Sequence, residues 1–208
     1  MSTRRHLLSL ILAASAAAGA AVAAPPAASP AKGGRLAPQA GDMSLGSPKA
    51  KIQVVEYASL SCPHCARFNS DVFPAFKAKY VDTGKVRYTL REMLTPPAEV
   101  AAAGFMMARC AGPGKYFSVV DEVFRSQDKW DGDIKPVFLE IAKKNGMTDA
   151  QFESCLTSQA NMDAVNQRVK AAIDLGVSST PTFFINGKKY EGEQTLDKLD
   201  VAIAAARK

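Results

Sequence analysis

The chain has 208 residues, of which 47% are hydrophobic and 22% charged, with four cysteines; this length suits one domain with a tail or an inserted subdomain. The net charge of +6 suggests a basic protein, yet Arg4, Arg5, Lys32 and Arg35 all precede the first acid, Asp42, and from residue 41 onward 22 basic side chains meet 20 acidic ones. No clustered basic face remains to grip a phosphate backbone, so the charge excludes nucleic-acid binding.

Arg4 and Arg5 open a basic segment, residues 7–22 are apolar and alanine-rich, and Ala21-Val22-Ala23 fits a small-x-small cleavage site. Residues 1–23 therefore read as a cleaved signal peptide. The apolar run is shorter than the ~20 residues a spanning helix needs. Thr3-Arg4-Arg5-His6-Leu7-Leu8 also fits a twin-arginine signal, so both export routes stay open. No cysteine precedes Cys62, which leaves no lipid-anchor site at the cleavage point. Residues 24–40 are rich in Ala, Pro and Gly without periodicity, the composition of a disordered leader or linker. The folded domain is expected over 41–208.

Residues 51–58 form a nearly continuous apolar run, which predicts a central strand covered on both faces, with Glu56 the odd residue inside it. After Cys62-Pro63-His64-Cys65, the residues Phe68, Val72, Phe73, Phe76 and Tyr80 recur at helical spacing; Pro74 should kink this helix. In KVRYTLR, Val86, Tyr88 and Leu90 alternate with Arg87, Thr89 and Arg91, which predicts a second strand with a polar face, or one near an edge. Strand, helix and strand at this spacing imply a parallel crossover. From residue 97 to about 175 the pattern is helical. Glycines punctuate it, Thr148-Asp149-Ala150-Gln151 supplies a capping box, and the last stripe is Met162, Val165, Val169 and Ile173. Asn186-Gly187 after Phe183-Phe184-Ile185 signals a two-residue hairpin, and a final helix buries Leu196, Leu199 and Ile203.

Two cysteines three apart at a strand-to-helix junction form a redox motif. Cys62 sits where helix N–H groups are unpaired and the macrodipole is positive, so its thiolate is favoured and it is the expected nucleophile. Cys65, one turn in, is the buried resolving thiol. His64 lies between them and, as a cation, would stabilise the thiolate further. Pro63 fixes the first turn, the position where proline is preferred.

The segment VVEYASLSCPHC resembles the active-site segment of the DsbA family, bacterial periplasmic thiol:disulfide oxidases with a thioredoxin fold. Gly176-Val177-Ser178-Ser179-Thr180-Pro181-Thr182-Phe183-Phe184 resembles the thioredoxin-fold loop whose cis-proline faces the dithiol. The match runs from about residue 41 to the end. It implies an α/β thioredoxin-like fold with an inserted all-helical subdomain at about 97–159. It also implies a cis Thr180–Pro181 bond whose backbone receives extended substrate by strand-like hydrogen bonds. Glu56 corresponds in position to the acid that such proteins place near the buried cysteine, where it can shuttle a proton.

Cys110 and Cys155 both fall in the helical insert and are expected to form a structural disulfide, as some DsbA-like proteins carry a second one. A redox-active pair and a four-cysteine zinc site are the alternatives. The resulting expectation is a monomeric thiol:disulfide oxidoreductase without cofactor. Its partners would be reduced, unfolded exported proteins and a quinone-linked re-oxidant of the DsbB type. An isomerase or reductase of the same fold is a second reading, although the short segment ahead of the first strand leaves no room for the dimerisation domain that isomerases add. A non-enzymatic Cys/His metal-binding module is the third.

Overall fold

The run IQVVEYA forms strand β2 (Ile52–Ala58) at the centre of a five-stranded sheet of order β1-β3-β2-β4-β5. The computed structural model describes residues 35–207; the expected signal peptide and the leader up to residue 34 lie outside the described residues. β3 (Val86–Glu92) runs parallel to β2, and β4 (Thr182–Ile185) runs antiparallel to it on the other side. β5 (Lys188–Glu191) closes the hairpin with β4, through Asn186 at φ 44° and Gly187 at φ 82°. Positive φ at both turn residues is what an Asn-Gly turn of this type requires.

One element was not legible in the sequence. β1 (Met43–Leu45) pairs antiparallel with β3 and moves β3 in from the edge. The alternation in KVRYTLR therefore does not mark a solvent face, as the sequence suggested. Thr89 and Arg91 are buried. The Thr89 hydroxyl meets that of Ser44, and Arg91 pairs with Asp42, donates to Tyr57 Oη and caps the Ala37 carbonyl. Residues 35–40, assigned to the leader by composition, lie against the sheet: Leu36 is buried and its carbonyl accepts from Gln53 Nε2. A guanidinium with a bidentate carboxylate partner can be buried where a lone one cannot.

The helix after the dithiol is continuous but not uniform. α1 (Pro63–Arg67) passes into a π-helical turn (Phe68–Val72), then α2 (Phe73–Phe76), then a second π-helical turn (Lys77–Val81). The Phe73 N–H reaches back to the Phe68 carbonyl, five residues away. The wider turn accommodates Pro74, which has no N–H to return.

The insert is four helices, α3 (Ala98–Cys110), α4 (Tyr116–Arg125), α5 (Lys135–Lys144) and α6 (Asp149–Leu156), the last opened by the expected capping box with both reciprocal bonds formed. α7 (Gln159–Asp174) and α8 (Leu196–Ala205) complete the element order. Ile173, placed on the buried stripe of α7 by spacing, is exposed instead; Ala172 takes the buried position. Met106 and Met107 are buried core residues. Glu92, buried at the end of β3, pairs with Arg109 of α3 and, at 3.0 Å, with Arg168 of α7, which ties the insert to the sheet.

The sheet carries apolar residues on both faces. Val54 and Ala58 pack with α1–α4; Val55, Tyr57 and Phe184 pack with Ala172 and Leu36 on the other side. Two covered faces explain the unbroken apolar run of β2. Among the described residues no helix is long and apolar enough to cross a membrane.

Candidate active site

β2 ends at Ala58, and a tight turn, closed by Cys62 N–H to the Ser59 carbonyl, delivers Cys62 to the N-cap of α1. The turn is pinned by groups that motif spacing does not reveal. Ser61 Oγ donates to the Thr95 carbonyl at 2.7 Å, Thr95 N–H donates to Ser59 Oγ at 3.0 Å, and Gln127 Nε2 of the insert donates to the Leu60 carbonyl at 2.7 Å. The serines flanking Leu60 were a visible hint; nothing local marks Thr95 or Gln127.

Cys62 has extended backbone (φ −84°, ψ 119°), Pro63 occupies the first turn, and Cys62 and Cys65 are thiols. Cys62 is 5% exposed and Cys65 fully buried. The Cys62 thiol is held down at about 5, first by a hydrogen bond from the Cys65 thiol, against the opposing effect of burial. Thr180 and the N–H groups of Cys65 and His64 assist. The Thr180 carbonyl, 3.5 Å from Cys62 Sγ, accepts from the thiol form only. The group suited to the anion is the Thr180 hydroxyl, buried and otherwise unpartnered among the described residues. Burial pushes the Cys65 thiol well above the ordinary range, and Cys62 and Glu56 add to the effect. The two sulfurs thus have opposite acidities because one meets hydrogen-bond donors and the other apolar core.

His64 departs from the simplest expectation. It assists the thiolate through its backbone N–H, while its ring nitrogen Nδ1 lies 2.5 Å from Glu193 Oε1. Glu193 also pairs with Arg67 at 3.0 Å. It comes from the loop between β5 and α8, and no sequence signal pointed to it.

Thr180–Pro181 is cis, as is Pro96–Pro97 ahead of α3. The Thr180 carbonyl meets Cys62 Sγ just ahead of β4. Glu56 lies behind it, 2% exposed, and accepts from Tyr88 Oη at 2.6 Å. Burial raises its carboxyl to about 8 despite that hydrogen bond. Cys62, Pro63, His64, Cys65, Thr180, Pro181 and Glu56 thus form one site. Cys110 and Cys155 lie apart from it in the insert, joined to each other in a disulfide between α3 and α6. Their sulfurs are not available to a shared four-cysteine zinc site. Among the described residues no group of three or more His, Cys, Asp or Glu side chains is placed to hold a metal ion.

The thioredoxin family model matches residues 39–205. The crystal structure of Wolbachia pipientis alpha-DsbA1 superposes with a TM-score of 0.76 at 32% identity, covering 82% of this chain and 93% of that one. The chain belongs to the DsbA family. A protein of Rickettsia typhi, whose name describes a protein-disulfide oxidoreductase, is 32% identical over 173 residues, 79% of this chain and 62% of its own length. The chain thus spans under two thirds of that relative. Bacillus subtilis BdbD, at 22% identity and a TM-score of 0.71, shares the fold. Within the DsbA family fold the helical insert is α3–α6, and the dithiol and the cis-proline loop occupy the junctions where the sequence placed them.

Proposed function

We propose that this protein is a dithiol oxidase that donates the Cys62–Cys65 disulfide to reduced exported proteins in the periplasm. The observation that carries this reading is the inequality of the two sulfurs: Cys62 ionises at about 5, while Cys65 is pushed well above the ordinary range. Stabilising the reduced thiolate makes the disulfide a stronger oxidant, which favours donation over reduction.

A substrate thiolate attacks Cys62 Sγ of the disulfide. The Cys62–Cys65 bond breaks, a substrate–Cys62 bond forms, and Cys65 leaves as a thiolate that its surroundings disfavour. Glu56, neutral below about 8, supplies the proton and becomes a carboxylate. A cavity of about 340 Å³ lined by Glu56, Asn69, Lys77, Tyr88 and Asp121 is the route by which Glu56 regains its proton. The substrate's second thiolate then attacks its own sulfur in the mixed disulfide and expels Cys62 as the stable anion. Two electrons have passed from the substrate dithiol to the protein.

The substrate strand lies along Thr180, whose backbone hydrogen bonds ignore side-chain identity, so substrate range is broad. A DsbB-type, quinone-linked membrane protein restores the disulfide, and the protein works as a monomer. Oxidised protein should oxidise a reduced, unfolded substrate stoichiometrically, and Cys62→Ala should abolish the reaction. Full activity in that variant rejects the assignment. An equilibrium with glutathione lying close to that of a reductant would transfer the protein to the reductase or isomerase class.

A further inference from the structure

The imidazole between the two cysteines is held by a carboxylate that the fold delivers from a distant loop. Glu193 lies 129 residues from His64 in sequence. The loop that carries it is held by one backbone bond and by the side-chain amide of Gln194. The Gly192 N–H donates to the Pro181 carbonyl at 3.0 Å. The buried Gln194 amide donates to the carbonyls of Glu191 and Gly192 at 3.3 and 3.1 Å. The loop is thereby locked to Pro181, the neighbour of the Thr180 carbonyl that lies 3.5 Å from Cys62 Sγ, with Gly192 in the left-handed region at φ 75°. From this platform the Glu193 carboxylate reaches two side chains of the first helical turn, His64 Nδ1 at 2.5 Å and Arg67 Nη2 at 3.0 Å. Those two contacts hold the Glu193 carboxyl below the usual range, the imidazole contributing most.

An exposed ion pair is ordinarily worth little, because two long side chains must be ordered to form it. Here the loop is already ordered by its own hydrogen bonds, so less freedom is lost. The consequence is electrostatic. Cys62 is at the N-cap of α1, where positive charge favours its anion. The Arg67 guanidinium and the His64 ring are both turned toward Glu193, which screens the Arg67 charge.

We infer that Glu193 is a positioning residue that restrains the oxidising power of the dithiol by holding the His64 ring and offsetting the charge of Arg67. This rests on the oxidase reading and adds the residue that sets its strength. Without the carboxylate, the ring is released beside Cys62 and the Arg67 charge is no longer offset. Both changes stabilise the reduced thiolate, so the disulfide becomes more oxidising. The other titratable groups facing the dithiol, Glu56 from β2 and Cys65 from α1, are unchanged by the substitution.

The test is the equilibrium of the wild-type protein and the E193Q variant with glutathione, with the Cys62 ionisation followed by thiolate absorbance in each. The expected result for Glu193→Gln is a shift toward the reduced protein of about two- to five-fold, with Cys62 ionising at lower pH. Glu193→Asp, which keeps the charge on a shorter arm, should fall between. In a His64→Ala background the Glu193→Gln shift should shrink. An unchanged equilibrium, a shift toward the disulfide, or a shift of full size without His64 each overturns the inference. Failure of the wild-type protein to oxidise substrate at all would instead overturn the oxidase reading, so the two are separable.

Discussion

The Tyr88 hydroxyl lies 2.6 Å from Glu56 Oε2, in the middle of the sheet and away from solvent. Tyr88 is the register partner of Val54, two residues before Glu56, so both side chains leave the sheet on the same face, under α2. A carboxyl buried to this degree is neutral at ordinary pH because no solvent stabilises its charge. The phenol is the one feature that eases its ionisation.

Tyr88→Phe should therefore raise the Glu56 carboxyl above about 8, as read from the pH dependence of its protonated carboxyl band in the infrared. The lost hydrogen bond should cost about 1 kcal/mol of stability. A titration midpoint that stays put or falls would show that the hydroxyl does not support the anion.

Glu56→Gln removes the proton donor to Cys65 while leaving the helix terminus around Cys62 intact. Oxidation of a model dithiol peptide should slow on the order of 10²-fold near neutral pH, and the limb of the pH–rate profile near 8 should disappear. Iodoacetamide labelling of Cys62 in the reduced protein should change far less. Equal losses in both assays would point to misfolding of the site and not to proton transfer.

The pH dependence of stability should differ between the two redox states. Cys62 ionises at about 5 in the folded protein against an ordinary value of 9.0. A depressed value contributes stability that is fully present above the unfolded value and is lost as pH falls toward 5. Glu56 acts oppositely: raised from 4.5 to about 8, it contributes most at low pH and loses that contribution as pH rises through this window. The disulfide form keeps Glu56 but has no Cys62 thiol to ionise. The reduced form should therefore gain on the oxidised form as pH rises from about 5 to about 9. Thermal denaturation of both forms across that range measures it. A gap that is flat or narrows contradicts the acid thiol, and Cys62→Ala should remove the pH dependence of the gap.

Breaking the second disulfide should lower stability without removing the redox centre. The bond closes a 45-residue separation between α3 and α6, and loop-closure entropy alone gives up to ~4 kcal/mol for a loop of this length. A Cys110→Ala, Cys155→Ala double variant should show a lower urea midpoint yet still oxidise substrate. Lost oxidation in a variant that remains folded would instead tie the pair to the chemistry.

What local sequence determined was the parts that depend on near neighbours. Cys62 and Cys65 are three residues apart, so a helix start after β2 is enough to bring their sulfurs together and to favour one anion. Asn186-Gly187 closes its hairpin by its own dihedral preferences, and Thr148 caps α6 through Gln151 alone. What only the tertiary structure decided is what distant segments contribute. β1 makes Arg91 a buried ion-pair partner of Asp42, Gln127 pins the turn before Cys62, and Glu193 reaches His64 from the far end of the chain. Period and spacing report which face a residue occupies within its own element. They carry no information on which other element will cover that face, because burial and charge pairing are set by through-space proximity after the chain has folded back on itself.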